Sequence, residues 1–200
     1  MMALATEPRP ALAPPAPGAD DAMRAETALI LDAVAGNSRA FGELVRLHHR
    51  RVYNYLCQMT RHHQDAEDLT QHTFIKAHQH LARFDRSRPL INWLLTIARN
   101  SALNHFRDVK KWDELPAESA ASGPSPARQA EQRESAENLW ARARALLSPR
   151  EFEVMWLRFA EEMSVRETAQ TTGLTETHVK VMVFRARQAL LAKEKGAKPA

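Results

Sequence analysis

The sequence holds a single cysteine, Cys57, so a disulfide framework is excluded and a reducing cytosol is the expected setting. No apolar run reaches the roughly eighteen residues a membrane span needs, and no membrane insertion is expected. The first residues lack a basic start followed by an apolar stretch, so no secretory leader is expected. Glycine is scarce, with 6 in 200 residues, and β-branched runs are short, which disfavours sheet and favours helix. One-sided charge is missing too: 28 Lys and Arg against 24 Asp and Glu leave a formal +4, so a basic footprint has to be local. GxGxxG, P-loop, GxSxG, HExxH and CxxC motifs are all absent. Of the 9 histidines, His48-His49 and His62-His63 are adjacent pairs that point apart on a helix, and His72, His78 and His80 are not spaced i, i+4. No metal, cofactor or catalytic role is expected.

What is present is helical patterning in two blocks. Residues 1–22 are rich in Ala and Pro and read as a tail that cannot bury a core. A first helical domain is expected over 23–108, a linker over 109–132, a second helical domain over 133–195, and a short tail over 196–200. The linker carries Pro116, Gly123, Pro124 and Pro126 with acidic Asp113, Glu114 and Glu118. The fold class is therefore all-α, two small helical domains joined by a flexible linker. In the first domain Gly36 should end a short helix, Ser38 should cap the next, and Asp65 should cap a third with Leu69, Phe74, Ile75, Ala77 and Leu81 inward. The loop Arg83–Pro89 leads to a fourth helix from Leu90 to about Arg107, with Trp93 expected in the core. In the second domain Ser148-Pro149-Arg150-Glu151 and Ser164-Val165-Arg166-Glu167 are capping boxes, and Thr175 can cap a last helix.

Val165 to Arg187 has the spacing of a helix-turn-helix. Two short helices crossing steeply need a small residue at their contact, here Ala169, and a left-handed turn residue four positions on, here Gly173. Val179 points back at the first helix and Leu174 fills the corner. The outward positions of the second helix include Glu176, Thr177, Lys180, Arg185 and Arg187, while Val183 and Phe184 are expected in the core. From Lys180 to Lys198 six residues are basic and only Glu194 is acidic, which suits phosphate contact. The plain alternative is a helical hairpin with a solvated basic face.

Three motifs in order then carry a resemblance. Asp65-Ala66-Glu67-Asp68-Leu69-Thr70-Gln71 with Phe74-Ile75-Lys76-Ala77 resembles sigma region 2.2. Trp93-Leu94, Ile97-Ala98-Arg99-Asn100, Ala102-Leu103 and Arg107 resemble regions 2.3 and 2.4. Leu147-Ser148-Pro149-Arg150-Glu151, the helix-turn-helix and Phe184-Arg185-Ala186-Arg187 resemble region 4. Over about residues 24–195 the chain is similar to the extracytoplasmic-function (ECF) class of the sigma-70 family of bacterial RNA polymerase sigma factors, without counterparts of region 1.1 and domain 3.

The resemblance implies an alternative sigma factor, cytoplasmic and not an enzyme, whose partners are the polymerase core (its β′ and β subunits), promoter DNA and an anti-sigma protein. It implies core binding by Asp65, Asp68, Leu69, Gln71 and Ile75. Minus-10 opening would use Phe84 and Asn100 around a flipped base, with Arg86, Arg88, Arg99, Asn104 and Arg107 along the strand, and Arg83, Lys110 and Lys111 adding to that basic run. It implies minus-35 reading by Glu176, Thr177, Lys180, Arg185 and Arg187. His72 and, on the outer face of the last helix, His178, Val181 and Met182 depart from the family pattern. A sigma-like adaptor that holds an anti-sigma protein and a dimeric helix-turn-helix regulator remain as alternatives.

Overall fold

The computed structural model describes residues 19–112 and 139–196. Those residues form α-helices and one 3-10 turn, with no strand among them. Two compact units divide the chain between Leu44 and Val45. The first holds α1, Ala19–Val34, and the start of α2, Ser38–Thr60. Gly36 lies between them at φ +97°, a left-handed value that glycine adopts without cost. Asn37, rather than Ser38, caps α2: its Oδ1 accepts from the backbone N–H groups of Arg39 and Ala40. Asparagine is as good a cap as serine, and it stands one position earlier, just before the helix begins.

The second unit starts within α2 and continues through α3, His63–His80, the 3-10 turn Leu81–Arg83, and α4, Leu90–Trp112. After the undescribed 113–138 come α5, 139–146, then α6, Pro149–Phe159, α7, Val165–Thr172, and α8, Glu176–Gly196. The acidic residues Asp113, Glu114 and Glu118 and the N-terminal tail up to residue 18 lie outside the described residues. α3 begins two residues before Asp65, so His62 is its cap and its Nδ1 accepts from the Asp65 N–H. Asp65 sits in the first turn, where its charge complements the helix's positive end.

In the second unit α2, α3, the 3-10 turn and α4 bury Val52, Leu56, Phe74, Ala77, Leu81, Leu94, Leu95 and Ala98. Leu69 is half-buried, and Ile75, expected inward, is 58% exposed because it falls one residue past the stripe that Phe74 occupies. α4 runs five residues beyond Arg107, with no proline or glycine to stop it before Trp112. In the C-terminal helices Ala143, Leu147, Phe152, Met155 and Ala186 form one cluster, with Trp140 and Trp156 against it. Val154, Ala169, Val179 and Met182 form a second.

Candidate nucleic-acid interface

Both capping boxes of the C-terminal half form. Ser148 and Ser164 each accept from the N–H three residues on, and Glu151 and Glu167 each accept from the cap's own N–H. The Ser148 hydroxyl holds the Glu151 carboxyl below the usual carboxylate range, and the Ser164 hydroxyl does the same for Glu167. α7 ends at Gly173, φ +69°, whose N–H donates to the Ala169 carbonyl. Thr175 Oγ1 then accepts from the His178 N–H at 3.2 Å and starts α8. Ala169 and Val179 are buried at the contact of the two helices and Leu174 is half-buried beside them. The short α7, joined through a left-handed glycine to the longer α8, thus forms a helix-turn-helix.

On the outer face of α8, Glu176, Thr177, Lys180, Arg185 and Arg187 are all exposed. The Arg187 guanidinium lies 4.9 Å from the Phe159 ring centre, a cation–π contact that steadies its stem. Two residues of α8 fall elsewhere than the sequence suggested. Phe184 is 63% exposed rather than in the core, while Met182, read as part of the outer face, is buried with Val154 and Ala169. The helical turn sets both positions: Val179, Met182 and Ala186 share the inward stripe at spacings of three and four, and Phe184 lies across from them.

The loop before α4 is built on Asp85, whose Oδ1 accepts from the Ser87 N–H at 3.0 Å and from the Ser87 hydroxyl at 2.7 Å. Those bonds lower the Asp85 carboxyl below its ordinary range. Arg83, Arg86 and Arg88 are exposed around this turn. Phe84, expected as a stacking surface, is instead buried, with its ring 5.1 Å from that of Trp93. On α4, Asn100, Asn104 and Arg107 are exposed, and Arg107 donates to Asn104 Oδ1 at 2.8 Å. Arg99, expected along the DNA strand, is buried: its Nε donates to Glu153 Oε1 of α6 at 2.6 Å. Lys110 and Lys111 lie on α4, where side chains are not described.

Two family models match: Sigma-70 region 2 over residues 44–112 and Sigma-70 region 4 over residues 138–190. The ECF RNA polymerase sigma factor BldN of Streptomyces coelicolor is 33% identical over 183 residues, 88% of this chain and 67% of BldN. The ECF RNA polymerase sigma factor SigM of Bacillus subtilis is 30% identical over 155 residues, 75% of this chain and 92% of SigM. The chain belongs to the ECF sigma factors of the sigma-70 family. Among solved structures, CnrH in complex with the cytosolic domain of CnrY aligns at a TM-score of 0.61 and 27% identity, over 87% of this chain and 99% of CnrH. RpoE of Bartonella quintana, in complex with the anti-sigma factor NepR, aligns at 0.63 and 26%, over 79% of this chain and 98% of RpoE.

This sigma factor presents the residues expected for core binding along α3. Asp68, Gln71 and Ile75 are exposed, and Leu69 is half-buried. Gln64 donates to Asp68 at 3.4 Å, and Asp65 Oδ2 lies 3.3 Å from His105 Nε2 of α4. No described helix is long and apolar enough to cross a membrane.

Sequence reasoning missed a set of residues that join region 2 to region 4. The Tyr55 hydroxyl donates to Glu153 Oε1 at 2.8 Å, and burial pushes its pKa well above the usual tyrosine value. Arg51 Nε donates to Glu161 Oε2 at 2.9 Å, and the Trp156 indole N–H donates to Oε1 of the same acid. Arg144 donates to the Gln58 carbonyl and side chain. One clue was available: Glu153 interrupts the apolar run Phe152, Val154, Met155 on α6, and a carboxylate there needs a partner.

Proposed function

We propose that this ECF sigma factor directs core polymerase to promoters through three surfaces. The α3 face, with Asp65, Asp68, Leu69, Gln71 and Ile75, meets the core, whose contacts come from its β′ and β subunits. Arg86, Arg88, Asn100, Asn104 and Arg107, exposed around the loop and along α4, open and hold the minus-10 element. Glu176, Thr177, Lys180, Arg185 and Arg187 on α8 read the minus-35 element as duplex. The observation that carries the third assignment is the Gly173 turn, which sets a helix about 10–12 Å across, of a size with the roughly 12 Å major groove, with its polar face clear of the core. Region 2 would comprise 23–108 and region 4 would comprise 133–195, with 109–132 as the tether. A tether gives the second DNA contact a high effective concentration once the first is made. The protein acts in the cytoplasm as a specificity subunit, not as an enzyme. Two similar sigma factors were solved with the cytosolic domain of CnrY and with the anti-sigma factor NepR, which supports an anti-sigma partner here.

In vitro transcription with purified core polymerase tests the reading. A promoter-specific start on at least one genomic fragment is expected. Core binding without any start would favour the adaptor, and failure to bind core would reject the assignment. Asn100→Ala should weaken promoter opening, read by permanganate reactivity, more than duplex binding, read by mobility shift. Equal losses in both would remove Asn100 from the opening role.

A further inference from the structure

The face of α8 that looks away from the helix-turn-helix core carries two apolar side chains among polar ones. Val179, Met182 and Ala186 point inward, so Thr177, Lys180, Val181 and Phe184 stand on the opposite side. Val181 is 40% exposed and Phe184 63%. At a spacing of three the two are neighbours on the helix surface, and Thr177 precedes Val181 by one turn. Val181 lies within the first two turns of α8, the part that a helix-turn-helix offers to base edges. Met182, the other apolar departure on this helix, is withdrawn into the buried cluster with Val154 and Ala169. From Thr177 to Ala192 the charged residues of α8 are Lys180, Arg185 and Arg187, all basic and all exposed.

We infer that Val181, with Phe184 beside it, reads the methyl group of a thymine in the minus-35 element. The inference rests on the minus-35 reading of α8 above. A valine side chain has no donor or acceptor, so it cannot pair with a base edge by hydrogen bonding. Among the groups that base pairs present in the major groove, the thymine methyl is the apolar one. Opposite the cytosine amino group, or the acceptors of guanine, valine displaces water without replacing its hydrogen bonds, and affinity falls. Opposite thymine, two apolar surfaces leave water together. The Phe184 ring, one turn on, adds apolar surface next to that contact and helps to exclude water from it. Lys180, Arg185 and Arg187 complement the charge of the phosphates, which fixes register but carries no sequence information. Discrimination between bases then falls to the uncharged part of the same face.

The test removes the methyl group and nothing else. Each thymine in the minus-35 duplex of a promoter that the holoenzyme transcribes is replaced in turn by deoxyuridine. Binding of the holoenzyme, reconstituted from core polymerase and the full chain, is measured by competition. With wild type, one thymine should matter by about fourfold in affinity, the worth of one buried methyl group. Val181→Ser should abolish the preference for thymine over deoxyuridine at that step and leave the other steps as they were. Val181→Ile, which keeps an apolar tip, should retain it. The position is exposed, so both variants should keep the fold, checked by circular dichroism. Indifference of wild type to every deoxyuridine, or a preference unchanged in Val181→Ser, overturns the inference while leaving the sigma assignment intact. A loss in Val181→Ser that is equal on both duplexes and accompanied by weaker core binding puts the patch against protein and overturns it too. Absence of promoter-specific binding by the wild-type holoenzyme overturns the minus-35 reading and this inference with it.

Discussion

Gly173 sits at φ +69° with open space where a side chain would project. A substitution there meets no neighbour, so its cost is that of the backbone alone. Gly173→Ala should destabilise the protein by about 1–2 kcal/mol. For a chain of this size that lowers the thermal midpoint by roughly 2–8 °C, read by circular dichroism. Lys180 is exposed on the DNA-facing side of α8 and is absent from the described ion pairs. Lys180→Ala should weaken promoter binding similarly across sequences and reduce the salt slope of log K by about one. A change confined to particular sequences would instead make Lys180 a base reader. Phe184 and Met182 show why single positions on a helix are hard to assign: each is apolar, and one residue of rotation, about 100°, exchanges core for solvent.

At the scale of elements, the two capping boxes set where α6 and α7 begin. Glu151 and Glu167 have folded pKa values below the ordinary 4.5, chiefly through the serine hydroxyls. A lowered carboxyl pKa contributes stability that is fully present above the unfolded value and is lost as pH falls through the folded one. Ser164→Ala should therefore cost about 1 kcal/mol near neutral pH. The difference from wild type should shrink as pH drops below about 4.5 and the carboxyls protonate. Urea titrations at several pH values measure both. These element starts were legible in sequence because Ser-x-x-Glu ahead of an apolar run satisfies the same orphan N–H groups in any context. The cap of α3 was not, because His62 is an uncommon cap and Asp65, a common one, stands three residues inside.

At the scale of the whole molecule, region 2 and region 4 meet through Arg99–Glu153, Arg51–Glu161 and Asn92–Glu167. Glu167 serves twice, capping α7 and accepting from Asn92, and glutamine would keep the cap while weakening the second bond. A double-mutant cycle on Asn92→Ala and Glu167→Gln should give a coupling of about 0.5 kcal/mol or more in urea unfolding of the free protein. Zero coupling would mean that the two halves do not touch in solution. The expected division of the chain rested on composition, which shows where proline and glycine accumulate but not whether the flanking helices then pack on each other.

The sequence alone determined that the chain is helical, where most helices begin, that a glycine turn joins α7 to α8, and which family its motifs resemble. All of these follow from interactions within a few residues: caps, turn conformation and the 3.6-residue repeat of apolar side chains. The tertiary structure decided what those surfaces meet. It turned Phe84 onto Trp93, buried Met182, exposed Ile75 and Phe184, and set Arg99 against a carboxylate 54 residues away. A buried charge is satisfied by whatever group the fold brings within about 3 Å, and separation along the chain carries no record of that distance.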